Sequence, residues 1–226
     1  MSLETTWNQH ILADEHVRLE LTRPEHSAAL QTACADGELW QLWYTGVPRP
    51  EHMDAEIERR LGLYAAQSMV PLTIKQRTEN GFVPVGMTSF MNIVKAADYQ
   101  RVEIGSTWYA KSAQRTGLNT RVKLLMLQYA FEQWPERDSA PMLAVEFRTH
   151  RLNQASRRAI ERLGAQLDGI LRAHQIWPQG LVRDTAVYSI TANEWPAVKR
   201  NLQFLIERGA NKAAYQTQTH TPHTAN

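Results

Sequence analysis

The chain has 226 residues, 43 % apolar and 21 % charged, which suits one soluble domain with appendages and a core large enough to need no staples. Twenty-five Lys and Arg against 23 Asp and Glu leave a net charge of +2, which argues against a protein that coats polyanions while leaving room for a local basic pocket. One cysteine, Cys34, excludes an intramolecular disulfide framework and a multi-cysteine metal site.

Residues 1–15 are polar and show no periodicity. From His16 the segment HVRLELT alternates, with Val17, Leu19 and Leu21 on one face, and reads as a strand. Thr22, Pro24 and Glu25 form a helix-start signature for a helix through Ala28, Leu30 and Ala33. A loop marked by Gly46, Pro48 and Pro50 follows. A second helix then places Met53, Ile57, Leu61 and Tyr64 on one stripe. Strands are predicted near 71–77, 82–94 and 101–109, and Asn80-Gly81 supplies a hairpin turn between the first two. After Thr116 the period changes to 3.6, with Leu118, Val122, Leu125 and Tyr129 recurring until Pro135 stops the helix near Trp134. Then come a strand at 142–149, a short helix from Asn153 to Gly164, and two antiparallel strands near 166–177 and 182–191. A last helix opens at Asn193-Glu194-Trp195-Pro196, with Val198, Leu202 and Leu205 on its apolar face. The division expected is one domain over 1–208 and a polar, disordered tail over 209–226, whose Gln, Thr, His, Asn and Ala bury little. Hairpins combined with a strand–helix–strand crossover indicate an α+β fold. The chain has no apolar run of roughly 18 residues and its start, MSLETTWNQH, is unlike a signal peptide, so no membrane association and a cytoplasmic location are expected.

The stretch most informative about chemistry runs from Arg101 to Tyr129. A strand ends near Tyr109, a polar loop follows (Lys111-Ser112-Ala113-Gln114-Arg115-Thr116-Gly117), and an apolar helix starts at once. The unpaired N–H groups of a helix start, with its dipole, make an anion site suited to a pyrophosphate. Gly117 allows close backbone approach and Arg115 adds a positive charge. The same pattern also describes an ordinary capped loop with a glycine in a positive-φ turn.

Gln114-Arg115-Thr116-Gly117-Leu118-Asn119 resembles the Gln/Arg-x-x-Gly-x-Gly/Ala loop of the GNAT N-acetyltransferases, with Asn119 departing from the usual small last residue. The strand Val102-Glu103-Ile104-Gly105 and the later Asn153-Gln154-Ala155-Ser156 with Leu163-Gly164 look like the matching parts of the RimJ/RimL group. The resemblance covers about 16–192 in element order. It implies the GNAT fold, a mixed, mostly antiparallel twisted sheet of about seven strands flanked by helices. It also implies acetyl-CoA as donor, an amine acceptor (protein N-terminus or small molecule) and no metal. The loop Gln114, Arg115, Thr116, Gly117, Leu118, Asn119 and Thr120 would then hold the pyrophosphate, the strand end Trp108–Ala110, including Tyr109, the cofactor arm and thioester carbonyl, and Asn153 the pantetheine or thiol end.

An amine of pKa ~10.4 is free in about one molecule per thousand at pH 7, a handicap of ~4 kcal/mol, whereas an α-amino group of pKa ~7.7–8.0 is roughly a tenth free. A base therefore helps. Glu103 is the candidate, in the position where several GNAT enzymes carry a catalytic glutamate; alternation puts it on one face with Gly105, Thr107 and Tyr109, opposite Val102, Ile104 and Trp108. The alternative is a glutamate on a solvated face or paired with Arg101 or another cation. Many GNAT enzymes place a tyrosine acid where this chain has Ile160, while Ser156 matches the RimL-type serine and would hydrogen-bond the CoA sulfur. Asn153 also fits as a helix cap. Cys34 reads as a buried thiol, and the histidines show no metal-ligand spacing. Arg148, Arg151, Arg157 and Arg158 include candidates for the 3′-phosphate or form a solvated helix face; Trp40, Trp43 and Tyr44 either line an amine pocket or fill the core. A non-catalytic acyl-CoA sensor on the same scaffold is the competing function, motivated by Asn119 and Ile160. Nucleic-acid binding lacks a basic stripe, and a homodimer is left open.

Overall fold

The computed structural model describes residues 7–134, 140–177 and 180–219. In chain order the elements are β1 (Ile11–Ala13), β2 (Val17–Leu21), α1 (Ser27–Ala35), α2 (Met53–Ala65), β3 (Met69–Thr78), β4 (Gly81–Lys95), β5 (Gln100–Tyr109), α3 (Leu118–Gln128), β6 (Met142–His150), α4 (Gln154–Glu161), β7 (Gln166–Ile176), β8 (Val182–Thr191) and α5 (Trp195–Thr219). Single 3-10 turns precede α1, α2 and α3, and a π-helical turn, Tyr129–Gln133, prolongs α3.

The strands form one sheet of order β1-β2-β3-β4-β5-β6-β8-β7. Every neighbouring pair is antiparallel except β5 and β6, which run parallel because α3 carries the chain across between them. The fold is the expected α+β type with a mixed, mostly antiparallel sheet; it has eight strands rather than about seven. The extra strand, β1, spans Ile11–Ala13, too short for alternation to register, and only its pairing with Arg18–Glu20 defines it.

Alternation in β2 buries Val17, Leu19 and Leu21, and the stripe of α2 buries Met53, Ile57 and Tyr64. Thr88 and Ser89, adjacent in β4, separate the two faces of the sheet. Ser89 meets α2 through Arg60, and Thr88 meets α3 through Lys123 and Met126. The α3 face continues the core through Phe90, Tyr129 and Trp134 and, farther on, through Phe131 stacked on Trp195. Cys34 is buried in this core and burial pushes its thiol up to about 11.

The helix that opens at Trp195 stays helical through Thr219, across the 208/209 boundary that composition draws; Ala, Lys and Gln in that stretch are good helix formers. Residues 220–226 and Pro135, the expected stop for α3, lie outside the described residues.

Candidate active site

The site begins where the two parallel strands part. β5 and β6 are in register at Gln100–Met142, Arg101–Ala144, Val102–Val145 and Glu103–Glu146, and there the pairing ends, although β5 runs on to Tyr109 and β6 to His150. Beyond Glu103 the facing edges have no strand partner. The fork exposes main-chain donors and acceptors to whatever lies between the strands.

Glu103 stands at the crotch of this fork, 5 % exposed. Its Oε2 accepts a 2.6 Å hydrogen bond from Asn92 Nδ2, and Arg148 Nε lies 3.5 Å from the same oxygen. Burial pushes its carboxyl above the ordinary glutamate range; Asn92 and Arg148 pull it back in part. Arg101 is not its partner, because that guanidinium reaches Glu146 at 2.8 Å. Asn92 arrives through an irregularity in β4 between Met91 and Val94, where it adopts φ +48°. A Cβ at Gly105 would sit 2.6 Å from Glu103 Oε1 and 2.8 Å from Met91 Sδ, so only glycine leaves that carboxylate its place.

A bulge follows. Ser89 pairs with Gly105 but Met87 pairs with Trp108, so Ser106 and Thr107 together face Thr88, and Ser106 takes φ +50°. This corrects the face assignment drawn from alternation. Thr107 and Tyr109 turn to the α3 face, where Thr107 Oγ1 meets Thr88 Oγ1 at 2.8 Å and the Tyr109 hydroxyl donates to Asn119 Oδ1 at 2.9 Å. Trp108 goes to the other face with Glu103 and Gly105. The bulge is held from both sides. Arg60, 1 % exposed on α2, donates to the Ser106 carbonyl oxygen and to Ser89 Oγ while Glu56 neutralises it at 2.6 Å. On the opposite face Lys123 Nζ reaches Thr107 Oγ1 at 2.9 Å and Thr88 Oγ1 at 3.2 Å, and burial lowers its ammonium to about 7. At the strand end, Ala110 N–H is committed to the Val85 carbonyl, so the polarising donor expected at Trp108–Ala110 is not Ala110. By alternation the Tyr109 N–H faces the fork.

The loop that leaves β5 is built to present amides. A 3-10 turn, Lys111–Ala113, is tied to Asp36 by the N–H groups of Lys111 and Ser112. Arg115 then takes φ +62° and Gly117 φ +88°, and α3 begins at Leu118. Thr120 and Arg121 N–H donate to the Gly117 carbonyl, and Leu118 N–H lies 3.4 Å from Thr116 Oγ1. Among the described residues, the N–H groups of Arg115, Thr116, Gly117 and Asn119 have no acceptor. A Cβ at Gly117 would meet nothing within 4 Å, so the concavity is open on that side. Consecutive free N–H groups around a left-handed residue at a helix start fit a diphosphate.

Other predicted residues of this loop do structural work. The Gln114 amide donates to the Tyr109 carbonyl, Leu118 is buried, and the Thr120 side chain accepts from Arg162. Asn119, the departure from the small-residue pattern, is used as the acceptor for Tyr109.

Asn153 caps α4 as expected, accepting from Ser156 N–H at 3.0 Å. Ser156 is half-buried and Ile160 belongs to the core. The arginine cluster disperses: Arg148 turns to Glu146 and Glu103, Arg151 to Asp184, Arg157 to the Tyr188 hydroxyl, and Arg158 to its own helix. Trp43 and Tyr44 stand against His150 at the end of β6, on the Glu103 face. Asn92, Arg60, Lys123 and His150 were missed from sequence. Asn92 inside a strand-like run and Arg60 beside the apolar stripe of α2 were the available signals; the others show none locally.

A family model for an acetyltransferase (GNAT) domain matches residues 16–166. No curated protein matches the chain. A GCN5-related N-acetyltransferase from Brucella melitensis is 27 % identical, with TM-score 0.70, over 86 % of this chain and 84 % of that one. Two more distant structures show the same fold. Mycobacterium smegmatis RimJ, solved with CoA-disulfide, is 20 % identical, with TM-score 0.65, over 84 % of this chain and 88 % of its own. The Salmonella typhimurium acetyltransferase that modifies the N-terminal serine of a 50S ribosomal subunit protein is 17 % identical, with TM-score 0.63, over 80 % of this chain and 99 % of its own.

Proposed function

The chain belongs to the GNAT acetyltransferase family and is an acetyl-CoA-dependent N-acetyltransferase, and we propose that it acetylates a primary amine, a protein N-terminus or a small molecule, by direct attack in a ternary complex. The observation that carries this reading is the fork itself: a buried carboxylate at its crotch and, beyond its open end, a loop of unpartnered amides. Acetyl-CoA supplies the activated acyl group and a thiolate leaving group. The N–H groups of Arg115, Thr116, Gly117 and Asn119 hold the diphosphate, and the Arg115 side chain adds charge. The Tyr109 N–H, held beside the bulge, faces the thioester carbonyl.

Glu103 takes the proton of the incoming ammonium, directly or through water. Its raised pKa suits it to hold a proton at working pH better than a solvated glutamate does. Ser156, one turn into the helix that Asn153 caps, hydrogen-bonds the departing sulfur, and Ile160 donates no proton. A thiol of pKa ~8.5 leaves without strong acid help. Membership of the RimJ/RimL-like group is supported by the Asn153-to-Ser156 spacing and by the fold shared with RimJ and the Salmonella enzyme. We read 1–208 as the one catalytic domain, cytoplasmic and needing no metal. A homodimer would use the outer edge of β7, the terminal strand of the sheet among the described residues, where Leu167 and Leu171 are exposed. No described helix is long and apolar enough to cross a membrane.

The test is thiol release from acetyl-CoA in the presence of cell extract split into peptide and metabolite fractions, with mass spectrometry of the products. An acetylated amine in one fraction is expected. Saturable coenzyme binding with no acetylated product in either fraction would favour the sensor instead.

A further inference from the structure

On the Glu103 face, β6 presents Glu146, Arg148 and His150 in succession, and β8, whose Thr185 pairs with His150, presents Arg183 just beyond. Arg183 is unlike its neighbours. Arg148 is neutralised by Glu146 and Glu103, and Arg151 and Arg172 by Asp184. Among the described residues, the Arg183 guanidinium has no hydrogen-bond acceptor, and its Nε is shielded from solvent. It lies 4.7 Å above the Trp177 ring, and the Trp177 indole N–H is fixed on the Trp43 carbonyl at 2.8 Å. Its charge reaches both Glu103 and His150. His150, 5 % exposed, accepts from Leu152 N–H at Nδ1, which leaves its proton on Nε2 as a further donor.

A guanidinium that is stacked, partly desolvated and without a carboxylate of its own is a receptor for an anion. We propose that Arg183 binds an anionic group of the acceptor, so that this enzyme's substrates are primary amines that also carry a carboxylate or phosphate. The proposal rests on the transferase reading above. Glu103 takes the amine end and Arg183 the anionic end, with Trp43 packed against His150 and Trp177 beneath Arg183. Because Arg148 and His150 come between Glu103 and Arg183 in the register of β5, β6 and β8, the two ends of the acceptor are separated by a spacer rather than adjacent.

Matched acceptors test this. One arm compares 5-aminovalerate with its amide; the other compares the peptide amides Ala-Glu-Ala-Ala and Ala-Gln-Ala-Ala. Within each pair the amine is of one kind and only the anion changes. The wild type is expected to prefer the anionic member in at least one arm by about tenfold or more in kcat/KM, as befits a charge-assisted pair. A preference in the first arm alone identifies a small-molecule acceptor, and in the second alone a peptide N-terminus. Arg183→Gln should bring the ratio close to one while acetyl-CoA affinity is kept, and Arg183→Lys should restore part of it.

Calorimetry of 5-aminovalerate and the Glu peptide with the unreactive CoA complex reads the same contact without turnover. Equal ratios for wild type and Arg183→Gln, or no anion preference in either assay, would overturn the assignment of Arg183. Failure of the wild type to bind acetyl-CoA at all would instead remove the transferase reading, and this proposal with it.

Discussion

Glu103 concentrates the residue-scale predictions. If it is the base, Glu103→Gln should bind acetyl-CoA normally and lose about 10²–10⁴-fold in kcat. The ionised form does the work and burial raises its pKa, so kcat/KM should climb with pH through a value above the ordinary ~4.3 of glutamate. In the glutamine variant that acid limb should disappear; a limb that persists would assign it to another group. Gly105→Ala tests the same point from outside the carboxylate. The new methyl group displaces the ends of the Glu103 and Met91 side chains rather than backbone, so activity should fall with a stability change of only about 1 kcal/mol. Lys123 carries a separate, thermodynamic prediction. Its folded pKa is depressed to about 7, so between that value and the unfolded ~10.4 the unfolded chain binds the extra proton. Stability attributable to this group therefore rises with pH in that window, by up to about 1.4 kcal/mol per unit, and Lys123→Met should abolish the slope by removing the titrating amine, while Thr88 and Thr107 still bond each other. Denaturant titrations at several pH values measure it.

At the scale of elements, Gly117 and the bulge divide the labour: one faces the diphosphate, the other the reacting end. Gly117→Glu puts a carboxylate among amides that await an anion, and coenzyme affinity should drop at least about 100-fold. The substitution is at an open position, so its folding cost should be limited to the left-handed backbone, roughly 1–2 kcal/mol. Arg60→Ala leaves the Ser106 carbonyl and the Ser89 hydroxyl without their donor and empties a buried site, while Glu56 keeps its pair with Arg59; a loss of about 2–4 kcal/mol is expected in urea unfolding.

The elements themselves were readable because β2, α2 and α3 each keep one period throughout and Asn80-Gly81 marks the turn between β3 and β4. The loop after β5 was readable too, since its glycine and polar run sit where the period changes. What alternation misread was β5 beyond Gly105. A bulge adds one residue without changing composition, so Thr107 and Tyr109 were assigned to the wrong face. Residues such as Arg183 and His150 join Glu103 only through the pairing of β6 with β8, which no local pattern contains.

Across the whole molecule, the sheet is two blocks, β1–β5 and β6–β8–β7, joined by the short register from Gln100 to Glu103. A ligand lying in the fork replaces the missing strand pairing with its own contacts, so it should tie the blocks together as well as bind. At 100 times its Kd, acetyl-CoA should stabilise the fold by about 2.7 kcal/mol. The added hydrogen-exchange protection should concentrate in Ile104–Tyr109 and Phe147–His150 rather than spread evenly. Uniform protection would mean that binding lies elsewhere. The most direct measurement is amide NMR of Arg115, Thr116, Gly117 and Asn119 during titration with CoA, 3′,5′-ADP and pantetheine. All four resonances should move with the first two, which carry phosphates, and stay still with pantetheine. Amides that ignore CoA while the protein still binds it would contradict the assignment of this loop as the diphosphate cradle.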